Sequence, residues 1–435
     1  MANYKKISTR ILVLGAVVIV AVGFWASRSS NTERNAVADD NVALADFRST
    51  DIEAIQRGEY VMRTADCAAC HTQGKNNMAG GYPLATPFGT LVSSNITPDR
   101  DTGIGQMTER DFFNAVRNGQ GSKGFLYPAM PYTAYANLTD QDMHDLWAYM
   151  STVTPVNHAI DENSAMAFPY NIRLAMLGWN MLFFDNKAFD GDADGADRGR
   201  YLVDAGGHCS VCHSPRNALG AEKSDHYLQG GQLGSWYAPD ITSNPHVGIG
   251  DVSVEDLAEY LGTGTNGQAT AAGPMAEAVE HSLQYMSEDD LMAIASYLKS
   301  VPASKTKAHT ALDASLPSMK RGALAYEVNC AACHGVEGEG MGELAPALAG
   351  NHALQGEPNN AIRALMVGAR AAATHTKLTG AGMPSFAWKM NDQQIKDVLD
   401  YVRNSWGNAA QPVTPEQIER IRVGMQARDK MIDGY

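Results

Sequence analysis

The pattern Cys-x-x-Cys-His occurs three times in the sequence, at residues 67–71, 209–213 and 330–334. These motifs contain all six cysteines of the 435-residue chain, so no thiol remains for a disulfide or a nucleophile. Two thiols at this spacing can each form a thioether to one porphyrin edge, and the adjacent histidine can supply an axial nitrogen to the iron. The sequence therefore predicts three covalently attached haem c groups. The attachment residues are Cys67, Cys70, Cys209, Cys212, Cys330 and Cys333, and the proximal iron ligands are His71, His213 and His334.

Zinc sites and thioredoxin-like redox centres are the alternative uses of such cysteine pairs. A structural zinc site needs four ligands in a closed tetrahedron, whereas each motif here stands far from the others in the sequence. A thioredoxin-like pair needs a surrounding βαβ unit, which the flanking sequence does not offer. Covalent haem is therefore the interpretation that the motifs favour.

The net charge and the remaining motifs limit the other functions. A formal net charge of −14 disfavours a nucleic-acid partner. No glycine-rich nucleotide-binding fingerprint is found, and no Ser/His/Asp set has a spacing that suggests a hydrolase. The sequence thus indicates an electron carrier with no substrate chemistry of its own.

The N-terminal sequence predicts export from the cytoplasm. Basic residues precede an apolar run at 11–26, so residues 1–30 form a signal peptide or a membrane anchor, and we favour the anchor. The polar residues 31–50 then form a flexible tether. Positive charge before the run puts the rest of the chain on the periplasmic face of the bacterial inner membrane.

Three similar repeats make up the rest of the chain. Each repeat has an Arg-Gly pair, predicted to begin a short helix that leads to the haem motif, and a second helix that closes the repeat. The first two repeats also share an Ile-Thr pair that is soon followed by Gly-Ile-Gly. The repeats span 51–154, 198–303 and 319–410. The linkers are 155–197 and 304–318, and residues 411–435 form a tail helix.

The closing helices have clear start signals. Thr139, Ser287 and Asn391 are predicted N-caps, because each is followed three positions later by an acid or amide and then by an apolar stripe at helical spacing. One tyrosine recurs at the same place in the three helices, as Tyr149, Tyr297 and Tyr401. We expect these helices to pack on the helices that precede the haem motifs.

Methionine is the expected second axial ligand of a haem that only transfers electrons. Each repeat has a methionine beside a proline between the haem motif and the closing helix, and we expect it on a loop of fixed, non-helical backbone. These residues are Met130, Met275 and Met383. The alternatives in the same repeats are Met107, Met286, Met341, His208 and His281.

The first linker contains an apolar segment at 174–184. It is too short to span a bilayer, which takes about 20 residues of helix. Three roles are open for this segment: packing between domains, binding a partner subunit, or lying on the membrane surface.

Several further motifs resemble a known family. They are SNITPD at 94–99, GIG at 103–105, LYPAMPY at 126–132, HCSVCHSPRN at 208–217 and NSWGN at 404–408. With the haem motifs, they make the chain similar to the triheme cytochrome c subunits of membrane-bound bacterial dehydrogenases that act on alcohols, aldehydes, gluconate, sorbitol or fructose. The resemblance implies that electrons pass from a catalytic subunit with a flavin, PQQ or molybdenum cofactor to membrane ubiquinone.

The expected fold is all-α, with three tandem class I cytochrome c domains after the N-terminal segment and His/Met ligation in each. The chain would then be a non-catalytic electron-transfer subunit. One alternative is a stand-alone, membrane-anchored periplasmic shuttle or an oxidase-linked cytochrome c. A haem enzyme such as a peroxidase is another, and it would require one haem with an open iron site.

Overall fold

The computed structural model describes residues 41–74 and 77–432, and these residues form two compact units. The first unit contains the described residues up to 62 together with 70–190, and the second contains 63–69 together with the rest. The predicted N-terminal anchor lies outside the described residues. Within the described part, no helix is both long and apolar enough to cross a bilayer.

The structure is largely helical, as predicted. The first repeat and its linker contain α1 (Ile52–Thr64), α2 (Cys67–His71), α3 (Glu109–Asn118), α4 (Tyr132–Tyr135), α5 (Asp140–Met150) and α6 (Ala175–Phe183). The second repeat contains α7 (Arg198–Tyr201), α8 (Cys209–His213), α9 (Val254–Thr263), α10 (Pro274–His281) and α11 (Glu288–Ser300). The third repeat and the tail contain α12 (Pro317–Asn329), α13 (Ala331–His334), α14 (Asn359–Val367), α15 (Asp392–Val402) and α16 (Pro415–Ile432).

Small hairpins accompany the helices, and the all-α prediction did not include them. Each is an antiparallel pair of short strands. The pairs are β1 (Pro83–Thr86) with β2 (Gly89–Val92), β3 (Gln120–Gly121) with β4 (Gly124–Phe125), β5 (Gln229–Leu233) with β6 (Trp236–Asp240), and β7 (Ala369–Arg370) with β8 (Gly382–Met383).

The predicted N-caps of the closing helices are confirmed. The side chains of Thr139, Ser287 and Asn391 each accept the backbone N–H three positions further on, at 3.0–3.2 Å. Asn391 also forms a full capping box, because the side chain of Gln394 accepts the backbone N–H of Asn391 at 3.0 Å. These bonds satisfy N–H groups that the first helical turn leaves without a partner.

Replacing Asn391 with alanine is expected to lower the free energy of unfolding of the third repeat by about 1 kcal/mol, because the N-cap acceptor is lost. Glycine at the same position should lower it by only a few tenths of a kcal/mol. Urea denaturation of the haem-loaded protein would measure both values. Equal losses for the two variants would contradict a capping role.

Two of the three Arg-Gly pairs lie inside a helix and not, as had been predicted, at its start. Arg198 begins α7 as predicted, but Arg57 and Arg321 lie inside α1 and α12. The second repeat also has one residue more than the first between its Arg-Gly arginine and its first cysteine. A π-helical turn at Leu202–Gly206 directly follows α7, and such a turn accommodates one extra residue in a helix.

The Arg-Gly pairs hold the opening and closing helices together. Arg57 donates two hydrogen bonds to Asp145 on α5, at 2.7 and 3.0 Å. Arg321 donates two to Asp397 on α15, at 2.6 and 3.1 Å. Both carboxylates are buried and both arginines are half-exposed. Paired N–H···O bonds of this kind fix the relative orientation of the two helices.

The second repeat makes the same contact one turn earlier on its closing helix. Arg198 donates to both carboxylate oxygens of Asp290, at 2.8 Å each. The position that matches Asp145 and Asp397, six residues after the N-cap, is Ala293 in this repeat. One helical turn separates Asp290 from Ala293, so the long arginine side chain can use either position.

A pH-dependent contact links α3 and α5 in the first repeat. His144 Nδ1 lies 2.7 Å from Glu109 Oε1, and this hydrogen bond is the main cause of a pKa of His144 above its ordinary value of 6.5. The contact stabilises the fold fully below pH 6.5 and is lost as the pH rises through the raised pKa.

We expect the stability of the first repeat to fall by a few tenths of a kcal/mol over that pH range, since the imidazole is 45% exposed. Denaturation midpoints measured between pH 5 and 9 would show the change. The variant His144→Gln, which cannot be protonated, should flatten this part of the profile; an unchanged profile would contradict the assignment.

The apolar segment of the first linker forms α6 and remains largely exposed. Leu177 is the buried residue of this helix, whereas Leu182 is 71% exposed. One side of α6 is fixed to the first repeat, because Tyr132 donates to Asn180 Oδ1 at 2.7 Å. Phe184, directly after the helix, packs edge-on against the same tyrosine ring.

Candidate haem sites

The histidine of each Cys-x-x-Cys-His motif has the same kind of hydrogen-bond partner. Its ring nitrogen Nδ1 lies next to a backbone carbonyl oxygen of a later loop. The contacts are His71 with Ser94 at 2.7 Å, His213 with Pro239 at 2.7 Å and His334 with Pro346 at 3.0 Å. A carbonyl oxygen only accepts hydrogen bonds, so Nδ1 is the protonated nitrogen and donates in each case.

This contact leaves the Nε2 lone pair of each ring available to a metal. Histidine ligands in metal sites usually donate their other ring N–H to a carbonyl or carboxylate, which fixes both the tautomer and the ring orientation. The residues present therefore fit a haem: two thiols for thioethers and a neutral, oriented imidazole for the iron.

The loop that supplies the carbonyl is the same in the first two repeats. The Ile-Thr pairs found in the sequence begin two residues after Ser94 and Pro239. In both loops the threonine carbonyl, of Thr97 or Thr242, accepts the N–H of the central isoleucine of Gly-Ile-Gly at 2.9 Å. A Cβ on Gly103 or Gly248 would lie 2.2 or 2.4 Å from that threonine oxygen, so the close turn requires glycine.

The third repeat makes the histidine–carbonyl contact with a shorter loop. Pro346 follows His334 by 12 residues, against 23 and 26 residues in the other two repeats. The third repeat therefore lacks the Ile-Thr and Gly-Ile-Gly segment but keeps the histidine–carbonyl contact. The recurrence of this segment was visible in the sequence, but its position next to the carbonyl that contacts the motif histidine was not predicted.

Desolvation favours the neutral form of two motif histidines and of three motif cysteines. It lowers the pKa of His71 and of His213, because desolvation disfavours the imidazolium ion. It raises the pKa of Cys209 to about 12, and that of Cys212 and of Cys330 to about 11. Thiols with raised pKa values differ from the exposed, low-pKa thiolates of redox centres.

Met130 and Met275 have equivalent positions in their repeats. Each lies 11 residues after a left-handed glycine, Gly119 or Gly264, that ends the helix α3 or α9. The carbonyl of that glycine accepts, at 2.7 Å, the N–H of the residue seven positions further on. The same turn thus places the methionine segment in both repeats.

The structure corrects the backbone conformation expected for Met275. This residue lies in the first turn of α10 rather than on a loop, and Pro274 occupies the first helical position, where its missing N–H costs nothing. Met275 and Cys209 both pack against the hydrophobic cluster at the centre of the second repeat, which includes Leu202 and Leu298.

Met383 also differs from the expected loop, since it lies in strand β8. It pairs there with Ala369 of β7. Met383 and Cys330 both pack against the hydrophobic cluster of the third repeat, which includes Ile395 and Leu399. In the second and third repeats, therefore, a motif cysteine and the predicted methionine border one apolar core.

Two of the alternative methionines have ordinary surroundings. Met286 is a core residue of the second repeat with 8% of its surface exposed. Met341 in the third repeat is 52% exposed. Packing accounts for the first, and the second lies largely in solvent.

Comparison with known proteins places these features in a family. Residues 53–150 match the family described as cytochrome c oxidase, cbb3-type, subunit III, and residues 319–406 match the cytochrome c family. These cytochrome c domains indicate covalently bound haem c.

Several characterised proteins are similar over most of their length. The chain is 40% identical to the fructose dehydrogenase cytochrome subunit of Gluconobacter japonicus, over 85% of this chain and 83% of that one. It is 39% identical to the gluconate 2-dehydrogenase cytochrome c subunit of Pantoea cypripedii, over 87% and 92%. It is 36% identical to the cytochrome c subunit of alcohol dehydrogenase (quinone) of Gluconacetobacter polyoxogenes, over 87% and 86%. The chain therefore belongs to the family of cytochrome c subunits of fructose, gluconate and alcohol dehydrogenases.

Proposed function

We propose that this chain is the electron-transfer subunit of a membrane-bound dehydrogenase and passes electrons from a catalytic subunit to ubiquinone. Haem c supplies a one-electron Fe(III)/Fe(II) couple. The residues of the chain attach this group, orient its histidine ligand and surround it with an apolar core.

The repeated histidine–carbonyl contact is the observation that carries this proposal. Three separate loops direct a carbonyl oxygen to Nδ1 of three motif histidines, at 2.7–3.0 Å. A packing role for these histidines would not require the same tautomer three times. Three oriented Nε2 atoms beside three cysteine pairs support three haem c groups in one chain.

The detailed ligand assignment is part of the proposal. The cysteine pairs of the three motifs attach the haems, and the motif histidines are the proximal ligands. The distal ligands are Met130, Met275 and Met383. We also propose that the repeats at 51–154, 198–303 and 319–410 are three cytochrome c domains in series.

The partner and the location are inferred from the relatives. Their names assign them to fructose, gluconate and alcohol dehydrogenases, and one name includes quinone. We infer a catalytic subunit with a flavin, PQQ or molybdenum cofactor, and a position on the periplasmic face of the inner membrane. Residues 1–30 would anchor the chain, and the exposed apolar side of α6 suits a partner subunit or the membrane surface.

Purification from the native membrane in a mild detergent tests the proposal. We expect a dehydrogenase subunit to co-purify in a fixed ratio, and its cofactor would identify the substrate class. The haem content, measured by the pyridine haemochrome method, should be three per chain. Removing one motif, for example with Cys212→Ala and His213→Ala together, should lower it to two. A wild-type content below three would contradict the assignment.

An oxidase-linked cytochrome c or a stand-alone shuttle is the second candidate. The match of residues 53–150 to a subunit of a cbb3-type oxidase favours it. Co-purification with oxidase subunits, or isolation of the chain alone in a form that a soluble donor reduces, would support this candidate over the dehydrogenase.

A further inference from the structure

A short segment of the third repeat, residues 369–375, contacts both methionine segments of the second unit; we call it the bridging strand. Ala369 pairs with Met383 in the β7–β8 hairpin. Two residues later, Ala371 forms an antiparallel bridge with Ala272 of the second repeat. One strand of the third repeat thus joins the backbone around two of the proposed iron ligands.

The contact with the second repeat lies close to its methionine. Ala272 precedes Met275 by three residues, and α10 begins between them. Glu280, near the end of α10, accepts the backbone N–H of Ala373 at 2.7 Å and a guanidinium N–H of Arg370 at 2.8 Å. The helix that carries Met275 is therefore attached to the bridging strand at both of its ends.

Of the two contacts of the Glu280 carboxylate, the hydrogen bond from the backbone N–H of Ala373 is the stronger one, because of its surroundings. Its side chain is 17% exposed, whereas that of Arg370 is 58% exposed. The exposed ion pair is screened by solvent and contributes little. The bond from Ala373 joins a charged acceptor in a largely buried site to a backbone donor, and bonds of this kind are stronger than neutral ones.

Apolar packing supports the same attachment. Ala372 of the bridging strand is 3% exposed and belongs to a small buried cluster with Ala276 and Val279 of α10. Met275 packs against this cluster. The backbone N–H of His375 also donates at 2.9 Å to Oε1 of Gln284, three residues after the end of α10.

The first repeat supports its methionine segment differently. Tyr127, the equivalent of Ala272, is buried in a cluster with Leu91 and Met166 of the same unit. Tyr127 also receives a hydrogen bond at its hydroxyl from Asn163, at 3.0 Å. The methionine segment of the first repeat is thus held by its own repeat and linker, whereas that of the second relies on the third repeat.

We propose that Glu280 is a positioning residue, through which the bridging strand of the third repeat holds Met275 in place as the axial ligand of the second haem. This inference rests on the axial ligation given under the proposed function. It makes the ligation of the second haem depend on residues of the third repeat, whereas the methionine segment of the first repeat is held by contacts within its own unit.

The test is the variant Glu280→Ala in the full-length, haem-loaded protein. Imidazole competes with an axial methionine for oxidised iron, so its affinity reports how firmly the methionine is held. We expect Glu280→Ala to raise the imidazole affinity of the second haem about tenfold or more, because a charge-assisted bond that favours the ligated position is lost. The near-infrared sulfur–iron absorption band of that haem should weaken in parallel.

Matched variants assign and control the effect. Met130→Ala, Met275→Ala and Met383→Ala each define the share of the band that belongs to one haem. Glu280→Gln keeps an oxygen acceptor for the N–H of Ala373, so its effect should be smaller than that of alanine. Glu259→Ala removes the same charge from an exposed site on α9 and should leave all three haems unchanged.

Each outcome is decisive. If Met275→Ala leaves the band intact, the axial assignment in the proposed function is wrong and the inference fails with it. If Met275→Ala removes its share but Glu280→Ala leaves the imidazole affinity of the second haem unchanged, the inference alone is overturned. An equal change at all three haems would mean that Glu280 acts on general folding, which also overturns it.

Discussion

Replacing Gly58 with alanine should lower the free energy of unfolding of the first repeat by roughly 3 kcal/mol. The opening helix α1 crosses the closing helix α5 at this glycine. A Cβ there would lie 1.9 Å from the carbonyl oxygen of Asp145 and 2.8 Å from Cβ of Tyr149. The first of these atoms is backbone inside a helix and cannot rotate away, so the two helices must separate. Separation also stretches the hydrogen bonds between Arg57 and Asp145.

Gly178 provides the matched control. It lies inside α6 of the same unit, and its added Cβ would meet no atom within 4 Å. Alanine there should stabilise the helix by about 0.5–1 kcal/mol, because glycine is a poorer helix former. Urea denaturation of the haem-loaded variants measures both changes. A loss below about 1 kcal/mol for Gly58→Ala would show that the crossing can relax.

The other two repeats should respond in the same way. A Cβ on Gly199 or Gly322 would lie 2.1 Å from a backbone carbonyl oxygen of its closing helix. The recurrent tyrosine of the closing helices lies next to the same glycines. Its Cβ would be 3.0 Å from a Cβ added to Gly199 and 2.7 Å from one added to Gly322. The Arg-Gly pair and the tyrosine are therefore parts of one helix crossing.

The sequence was sufficient to predict those structural features that depend on residues close together in the chain. The cysteines and histidine of each motif lie within five residues, and one haem dictates their spacing. An N-cap and the N–H that it accepts are three residues apart, which is why Thr139, Ser287 and Asn391 could be predicted. The loop expected at Met130 is confirmed, whereas the backbone conformations of Met275 and Met383 could not be predicted.

The packing of each opening helix on its closing helix was predicted and is confirmed, but the side-chain pairs that make this contact were not predicted. Arg57 and Asp145 are 88 residues apart. In the second repeat the carboxylate that binds the arginine is Asp290, and the position equivalent to Asp145 and Asp397 is Ala293. Comparison of the closing helices therefore did not reveal the arginine–aspartate pair. Met275 was expected on a loop because a proline precedes it, yet proline also favours the first position of a helix, and packing against the bridging strand is compatible with that choice.

Replacing Met383 with alanine should have the largest functional effect in the third repeat. A thioether ligand raises the reduction potential of a haem, and axial ligands as a class span about 0.8 V. With Met383 as the proposed distal ligand of a third haem, loss of the sulfur should lower the potential of that haem by an amount on the order of 0.2 V. At about 59 mV per tenfold change, the equilibrium for electron transfer to that haem shifts by roughly three orders of magnitude.

Met341→Ala is the matched control for this prediction, because it removes a methionine of the same repeat that is 52% exposed. Redox titration of the haem-loaded protein, followed by absorption, should show one of three potentials displaced in Met383→Ala and none in Met341→Ala. The sulfur–iron band should fall in the first variant alone. The reverse result would make Met341 the ligand, and the β7–β8 hairpin would then be only a packing element. If the band falls without a change in potential, the apolar core around the third haem, rather than the thioether, sets its potential.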